Sequence, residues 1–314
     1  VTKMKCMSGL THTVDVFIVG GGINGAGIAN DAAGRGLDVM LCEMNDLASA
    51  TSSASSKLIH GGLRYLEYYE FSLVRKALAE REVLLKNAPH IISPLQFYLP
   101  HRPHLRPAWM IRVGLFLYDN LSKRVSLHKS RSVSFTDESP LQSHMVEGFE
   151  YADAWVDDAR LTVLNAMSAN ALGASILTQT QLISAVSKGD IWCLTLLDKT
   201  TNKERIVYSK VLVNAAGPWV EKVNEKVEKP TDSQIIRLVK GSHIVVPKLH
   251  DDKHAFILQN EDGRIVFVIP YQDDFSLIGT TDVEYQGDPA KANISVEEID
   301  YLVEISNKHF KTQI

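Results

Sequence analysis

Three glycines near the start of the chain have the spacing of a turn that binds the phosphates of a dinucleotide. They are Gly20, Gly22 and Gly25, in the pattern Gly-x-Gly-x-x-Gly. The first permits a tight turn, the second lets the backbone approach a pyrophosphate, and the third lets a helix pack close to the preceding strand. Ile23 and Asn24 lie at the start of that helix, where free N–H groups and a partial positive charge favour phosphate. We therefore predict that these five residues bind a dinucleotide.

The elements around these glycines are those of a parallel βαβ unit. A β-branched and aromatic run at 15–19 predicts a buried strand, the alanine-rich segment 23–35 a helix, and 38–42 a second strand. Glu43 ends that strand and is placed to accept hydrogen bonds from an adenosine ribose. The glycine pattern alone also fits a glycine-rich turn in an α/β core, but the strand, helix and acid together make it specific.

A second group of small and hydroxyl-bearing residues follows at 48–62. The segment is short and leads into a patterned helix at about 70–88, so we interpret it as an ordered, ligand-facing loop and not as disorder. It ends in a His-Gly-Gly sequence whose backbone suits close contact with a flavin. The predicted cofactor contacts in this loop are Thr51, Ser52, Ser56, Lys57, Leu58, His60, Gly61 and Gly62.

The order of elements after the first unit favours FAD over NAD, although the two cofactors share the glycine fingerprint. The chain does not continue as a regular βαβ repeat. Instead, three strands of a β-meander between 182 and 208 precede a buried strand at 211–214. That strand breaks into a small-residue turn, which would place backbone N–H groups against a second stretch of the dinucleotide, although an ordinary strand-to-loop turn also fits. The predicted contacts there are Ala215, Gly217 and Trp219.

The composition and strand pattern of the rest of the chain predict a second lobe. Residues 89–150 are rich in proline, basic and aromatic residues and resemble an insertion, and strands return after Pro230, followed by a helix at 295–310. The predicted fold class is α/β: a Rossmann-like FAD-binding domain of the glutathione reductase or D-amino acid oxidase type, with a second α+β substrate domain. The predicted boundaries are 14–90 plus 151–235 for the FAD-binding domain, and 91–150 plus 236–314 for the second, incomplete domain.

Composition excludes several classes of protein. The chain has 314 residues, of which 45% are hydrophobic, enough for the cores of two domains. Its formal net charge of −4 argues against a polycation built for nucleic acid. Cys6, Cys42 and Cys193 are scattered, so we predict neither a disulfide framework nor a metal site. The N-terminal residues 1–13 lack the apolar region of a secretory signal.

A basic stretch at 101–131 raises the question of a membrane. It contains seven lysines and arginines but only one acid, Asp119, and its apolar residues fall at helical spacing. Basic residues beside an apolar helix suit an anionic bilayer surface. A buried helix with a solvated basic rim fits equally well. Nucleic-acid binding would need a groove-reading element that the sequence does not show.

Several blocks resemble, in the same order, the FAD-dependent glycerol-3-phosphate dehydrogenases, most closely the bacterial respiratory enzyme. The resemblance runs from about residue 14 to the end of the chain. It implies oxidation of sn-glycerol 3-phosphate to dihydroxyacetone phosphate, transfer of electrons to a membrane quinone, and a peripheral location on the cytoplasmic face of the inner membrane. It also admits a homodimer. The matching blocks are 19–36, 51–67, 100–107, 155–160, 240–246 and 278–282.

The resemblance also implies roles for individual side chains. His243 stands at the head of a predicted strand, and its imidazole, which titrates near working pH, is the candidate base; a structural histidine is the alternative. Arg64 and Tyr65 would lie near the flavin and grip the substrate, unless Arg64 forms a scaffold ion pair. The residues at 280–282 would shape the flavin pocket, but a turn also explains them.

The family continues beyond the last matching block. Its later portion would supply a phosphate-binding arginine block and a further motif against the flavin, and neither occurs here. We therefore expect a chain that is C-terminally truncated relative to the family, with an incomplete substrate site. Three alternatives stay open: an oxygen-using glycerophosphate oxidase, an FAD-binding fragment without turnover, and an NAD-dependent dehydrogenase.

Overall fold

The computed structural model describes residues 13–102, 104–228 and 236–314. Cys6, the N-terminal segment, Pro103 and Pro230 lie outside the described residues. The described chain forms two compact units. The first contains the residues up to Ser55 and those from Asp158 to Ile236, and the second contains Ser56–Asp157 and Arg237–Ile314.

The described residues form α-helices and strands in both units. The α-helices are α1 (Ile23–Gly34), α2 (Phe71–Asn87), α3 (Ala108–Asn120), α4 (Asp158–Ala171), α5 (Val220–Asn224) and α6 (Val296–His309). The strands are β1 (Thr13–Val19), β2 (Val39–Cys42), β3 (Leu58–Ile59), β4 (Ile92–Pro100), β5 (Arg131–Ser134), β6 (Glu147–Val156), β7 (Ser175–Leu177), β8 (Thr180–Lys188), β9 (Ile191–Asp198), β10 (Lys203–Asn214), β11 (Val239–Lys240), β12 (His243–Pro247), β13 (Ala255–Gln259), β14 (Ile265–Tyr271), β15 (Phe275–Gly279) and β16 (Val283–Glu284).

The first unit is built on a six-stranded sheet in the order β7-β2-β1-β10-β9-β8. Strands β1 and β2 are parallel and α1 connects them, so the predicted βαβ unit is present. The buried face of α1 consists of glycine and alanine, which lets this helix lie close to its neighbours. Ala29, Ala32 and Ala33 pack with Ile18 of β1 and Ala169 of α4 in one apolar cluster.

Strand β10 corrects one prediction. The sequence pattern predicts a meander strand at 205–208 and a separate strand at 211–214, but β10 is continuous. It pairs antiparallel with β9 through Ser209 and parallel with β1 from Tyr208 onward. The polar Lys210 stays in the strand, and its Nζ lies 2.7 Å from Asp15 Oδ1. The meander and the βαβ unit therefore share one sheet.

The second unit contains an eight-stranded sheet with helices on both faces. Its path is β12-β15-β14-β13-β4-β6-β3, and β5 also pairs with β6. Helices α2 and α3 pack on one face, against Phe97 of β4 and Tyr151 of β6. Helix α6 packs on the other, where Leu302 meets Phe256 of β13. All five residues of β13 are buried, as expected for a strand covered on both sides.

The boundaries of the compact units differ from the predicted domain boundaries. Residues 56–90 and 151–157 lie in the second unit, and not with the glycine-rich segment. Strand β3 pairs with β6, and α2 contributes Val74 and Leu78 to the core of the same sheet. The predicted insertion at 89–150 contains all of β4 and the first residues of β6, so it contributes to the centre of this sheet.

Candidate functional site

The glycine turn of the first unit leaves no room for side chains. Gly20 has φ +114°, and a Cβ on it would lie 2.5 Å from the carbonyl oxygen of Ala215. A Cβ on Gly25 would collide with the carbonyl oxygen of Gly20, and one on Gly22 would lie 3.0 Å from Ser52 Oγ. The turn is therefore a bare backbone surface, which is what close approach by a pyrophosphate requires.

The start of α1 presents backbone donors beside this surface. The first bond within the helix runs from Ala26 N–H to the Gly22 carbonyl oxygen, at 2.9 Å. The N–H groups of Asn24 and Gly25 thus have no partner inside the helix, as is usual for a first turn. Ile23 N–H donates to Ser52 Oγ at 2.9 Å. These residues fit the diphosphate of a dinucleotide, with Ser52 at the same helix end.

Glu43 fixes the shape of the turn. Its Oε2 accepts from Gly21 N–H at 2.7 Å, and its Oε1 accepts from Asn45 N–H at 2.8 Å. A carboxylate oxygen has two lone pairs, so both oxygens retain acceptor capacity for a ribose hydroxyl. Glu43 therefore has a structural task in addition to the predicted one.

The second predicted contact segment of the first unit lies beside the first. Ala215 N–H donates to the Val19 carbonyl oxygen at 2.8 Å, and Gly217 turns the chain with φ +52° before the short helical turn Gly217–Trp219. Asn214, the last residue of the predicted strand, holds this turn: its Nδ2 donates to the Val220 carbonyl oxygen at 2.9 Å. The structure thus brings the two segments together.

His243 has a defined setting in the second unit. It opens β12 directly opposite Gly279 of β15, and its ring lies where a Cβ on Gly279 would be. Its Nε2 is 2.8 Å from Ser56 Oγ. Ser56 was predicted to contact the cofactor; the structure places its hydroxyl on the candidate base.

Both glycine N–H groups of the His-Gly-Gly sequence are engaged inside the second unit. Gly61 N–H donates to the Tyr118 hydroxyl at 2.6 Å, and Gly62 N–H donates to His60 Nδ1 at 3.1 Å. The neutral His60 ring therefore carries its proton on Nε2. A Cβ on Gly61 would collide with Leu78. Gly61 therefore serves the packing of the loop, and Gly62 supplies the left-handed backbone, with φ +72°, that leads into the next helical turn.

The other predicted residues of this region differ in exposure. Arg64 and Tyr65 are exposed on the helical turn Leu63–Tyr68. Arg64 forms no ion pair within the described residues. Leu58 instead pairs with Trp155 of β6, so it belongs to the sheet, and the preceding carbonyl of Lys57 accepts from Val156 N–H at 2.9 Å. Thr51 lies in a short helical turn of the first unit.

A buried carboxylate that sequence analysis did not single out holds the backbone around His243. Glu298 Oε1 accepts from Thr281 Oγ1 at 2.6 Å and from Ser242 Oγ at 3.0 Å. Its Oε2 lies 2.6 Å from Lys240 Nζ and accepts from Ser295 N–H at 2.9 Å. Burial disfavours the charged form, but these partners outweigh it and lower the pKa of Glu298 to about 2. The Ser-x-x-Glu pattern at 295–298 was the available signal.

Helix α3, within the basic stretch, has one face buried in the core and another face that exposes apolar side chains. Ile111, Leu115 and Tyr118 are buried against the sheet, whereas Trp109 and Phe116 on the other side are each 65% exposed. Ion pairs involve four of the seven cations, Arg102, Arg106, Arg124 and Arg131, with partners inside the second unit. Among the described residues, no helix has both the length and the apolar character needed to span a membrane.

Comparison with known proteins places the chain in a family. A family model described as FAD dependent oxidoreductase matches residues 15–314. The glycerol-3-phosphate dehydrogenase of Pseudomonas aeruginosa is 61% identical over 97% of this chain and 59% of its own length. The aerobic glycerol-3-phosphate dehydrogenase of Escherichia coli is 58% identical over 96% of this chain and 60% of its own length. The chain therefore spans about three fifths of these relatives.

A solved structure supports the fold. The glycerol-3-phosphate dehydrogenase of Bacillus halodurans in complex with FAD is 32% identical, with a TM-score of 0.73 over 95% of this chain and 53% of that one. The resemblance inferred from sequence is confirmed, as are the α/β fold with its Rossmann-like FAD-binding part and FAD as the cofactor. The bare turn at Gly20 and Gly25 fits that cofactor. The chain belongs to the family of FAD-dependent oxidoreductases.

Proposed function

We propose that this protein oxidises sn-glycerol 3-phosphate to dihydroxyacetone phosphate with FAD. The observation that carries the proposal is the setting of His243: its ring lies across Gly279, and its Nε2 is 2.8 Å from a hydroxyl oxygen, that of Ser56. An imidazole nitrogen that engages a hydroxyl at this distance has the geometry of a general base toward an alcohol. The similarity to glycerol-3-phosphate dehydrogenases supports the identity of that alcohol.

The reaction removes a proton and a hydride from the substrate. His243 Nε2 takes the proton of the C2 hydroxyl while the C2–H bond breaks and the carbonyl forms. Bound FAD supplies the acceptor for the hydride. Glu298 keeps Ser242 and Thr281 in place, so the imidazole is held on a rigid strand end. His243 moves the proton and the surrounding residues restrain its ring.

Arg64 and Tyr65 are the proposed substrate-binding residues. Arg64 is exposed and, within the described chain, unpaired, so its guanidinium has all its donors for a phosphate. Tyr65 presents a phenol from the same helical turn. We assign the first compact unit to FAD binding and the second to substrate binding, with the boundaries that the structure gives.

The electron acceptor in this proposal is a membrane quinone. The exposed apolar side of α3, with Trp109 and Phe116 beside basic residues, supports attachment to an anionic membrane surface through 101–131. The corresponding location is the cytoplasmic face of the inner membrane. A homodimer stays a prediction, and no nucleic acid is expected as a partner.

Anaerobic mixing with sn-glycerol 3-phosphate tests the function. We expect the absorbance of the bound flavin to bleach and to return when a soluble quinone is added. Absence of bleaching in protein that has retained FAD would contradict the proposal and favour an FAD-binding fragment without turnover. Rapid peroxide formation in air without quinone would favour an oxidase. Dependence on a nicotinamide would contradict the flavin assignment.

A further inference from the structure

The second unit contains a cavity whose polar side chains take no part in the proposed reaction. Its volume is about 230 Å³. The sheet contributes Gln96 of β4 and Ala152 of β6, which lie opposite each other in the register of these strands. Two connecting segments complete the lining, one between α3 and β5 and one before β13. The cavity therefore joins parts of the second unit that are far apart in sequence.

The lining of this cavity is cationic. Lys253, His254 and His128 line it, and no carboxylate does. These three side chains form no ion pair within the described residues. The two acids that precede Lys253 lie outside the lining: Asp251 pairs with Lys248, and Asp252 is exposed. A group of unpaired cationic donors without an acid among them is complementary to an anion.

The ring of His254 is held in place but lacks a polar partner. It stacks on Tyr98 of β4, with the ring centroids 4.2 Å apart and the ring planes 18° apart. Its Nδ1 atom is buried, and no described residue forms a hydrogen bond with it. Buried polar atoms in folded proteins nearly always have a partner, so an exception at a cavity indicates a bound polar molecule.

The size of the cavity limits what it can bind. Pockets for drug-sized ligands measure roughly 300–1,000 Å³. This cavity is smaller and suits a compact anion. A phosphate group carries a charge of about −1.5 to −2 at neutral pH and has three strong acceptor oxygens, so it matches several cationic donors better than a carboxylate does.

We propose that this cavity binds a small phosphate-bearing anion, either inorganic phosphate or a short phosphomonoester. Lys253, His254 and His128 donate to its oxygens, and the neighbouring Gln96 amide and Ser126 hydroxyl add neutral hydrogen bonds. None of these residues belongs to the candidate site at His243. The inference therefore adds a second anion site to the one that Arg64 supplies in the proposed function.

An NMR titration with inorganic phosphate at constant ionic strength tests the inference. The ring resonances of His254 and His128 should shift and saturate, both in the wild type and in Arg64→Ala, which lacks the phosphate ligand proposed for the substrate. Absence of a saturating shift at both rings would overturn the inference. Shifts that R64A abolishes would assign phosphate to the substrate site alone and would also overturn it, while leaving the proposed function intact.

Two variants locate the bound phosphate. Lys253→Ala and His254→Phe should each weaken binding about tenfold, because a charge-assisted hydrogen bond is lost. H254F keeps a ring that can stack on Tyr98, and the His128 resonances report its affinity. Lys248→Ala is the matched control, since its Nζ lies 3.1 Å from Asp251 Oδ1 in the same connecting segment but outside the lining. K248A should bind within about twofold of the wild type. Unchanged affinity in either K253A or H254F contradicts the assignment.

A phosphodiester separates a soluble anion from a lipid head group. Dimethyl phosphate resembles the phosphate of a lipid and carries a single charge, so it should bind at least ~10-fold more weakly than inorganic phosphate. Equal or tighter binding of the diester would assign the cavity to a lipid head group and overturn the inference.

Discussion

The Oγ atom of Ser56 lies 2.8 Å from Nε2 of His243, although 187 residues separate them in the chain. The contact joins the hydroxyl-rich loop to the head of β12. The His243 ring also lies against Gly279, where any side chain would displace it. Two predictions concern this pair.

Ser56→Ala should slow anaerobic flavin reduction by about tenfold, because one hydrogen bond that orients the imidazole is lost. The measurement is stopped-flow absorbance after mixing with sn-glycerol 3-phosphate. Ser55→Ala is the matched control, since the Ser55 hydroxyl donates to Asp158 Oδ2 at 2.7 Å and lies in the first unit. A faster S56A reaction would mean that the serine competes with substrate for Nε2.

His243→Ala should retain FAD but reduce its flavin ~100-fold or more slowly, because proton removal from the alcohol loses its base. Added imidazole should restore part of the rate. His104→Ala serves as the comparison, since this side chain is 56% exposed and belongs to a different segment. A near-normal rate in H243A would exclude general-base catalysis by this residue.

The glycine turn supports a prediction about cofactor binding. Gly25→Ala should weaken FAD binding ~100-fold or more, because the new methyl group would meet the Gly20 carbonyl oxygen and force apart the helix and strand that hold the pyrophosphate. Gly27→Ala lies in the same helix, and its Cβ would meet nothing within 4 Å. G27A should bind FAD normally and be up to ~1 kcal/mol more stable. Fluorescence titration of the apoproteins compares the two, and equal affinities would refute the steric argument.

Sequence patterns are sufficient for features that depend on neighbouring residues. The apolar and alanine-rich runs around the glycines predicted β1, α1 and β2 to within two residues at each end. Strands β4 and β6 were not predicted, because Pro94 and Pro100 interrupt the apolar pattern of β4. Strand β6 carries buried acids whose partners lie far away in the chain: Asp153 pairs with Arg81, and Glu150 with Arg131.

In the candidate site, too, local motifs could be predicted from the sequence, whereas contacts between distant residues could not. Gly20, Glu43 and Ala215 could be selected from local motifs, and the structure brings them together. The contacts of His243 with Ser56 and of Gly61 with Tyr118 depend on how strands and helices pack over long sequence separations. A histidine or glycine in a sequence carries no information about such a distant partner, so these contacts required the structure.

Glu298 gives the protein a pH-dependent stability. A carboxylate with a pKa of about 2 in the folded state contributes stability above its unfolded pKa of about 4.3, and that contribution is lost as the pH falls toward 2. Glu298→Gln should therefore lower the free energy of unfolding at pH 7 by up to about 3 kcal/mol and flatten its decline between pH 5 and 2. Asp300→Asn, exposed on the same helix, is the control. Urea unfolding across this pH range measures the profile. If the stability of E298Q depended on pH in the same way as that of the wild type, the assignment would be contradicted.

The exposed side of α3 supports the last prediction, on membrane attachment. Trp109 and Phe116 are each 65% exposed, and replacing both by serine leaves the buried face of the helix untouched. The double variant should bind anionic vesicles at least ~10-fold more weakly, because most of the apolar area available for insertion is lost. Val125→Ser removes an apolar side chain that is 74% exposed but lies beyond the helix, so this variant should bind normally.

Four of the seven cations already have acidic partners, so we expect salt to weaken binding less than the aromatic substitutions do. Vesicle sedimentation at low and high salt measures both effects, and full binding by the double variant would rule out α3 as the attachment surface.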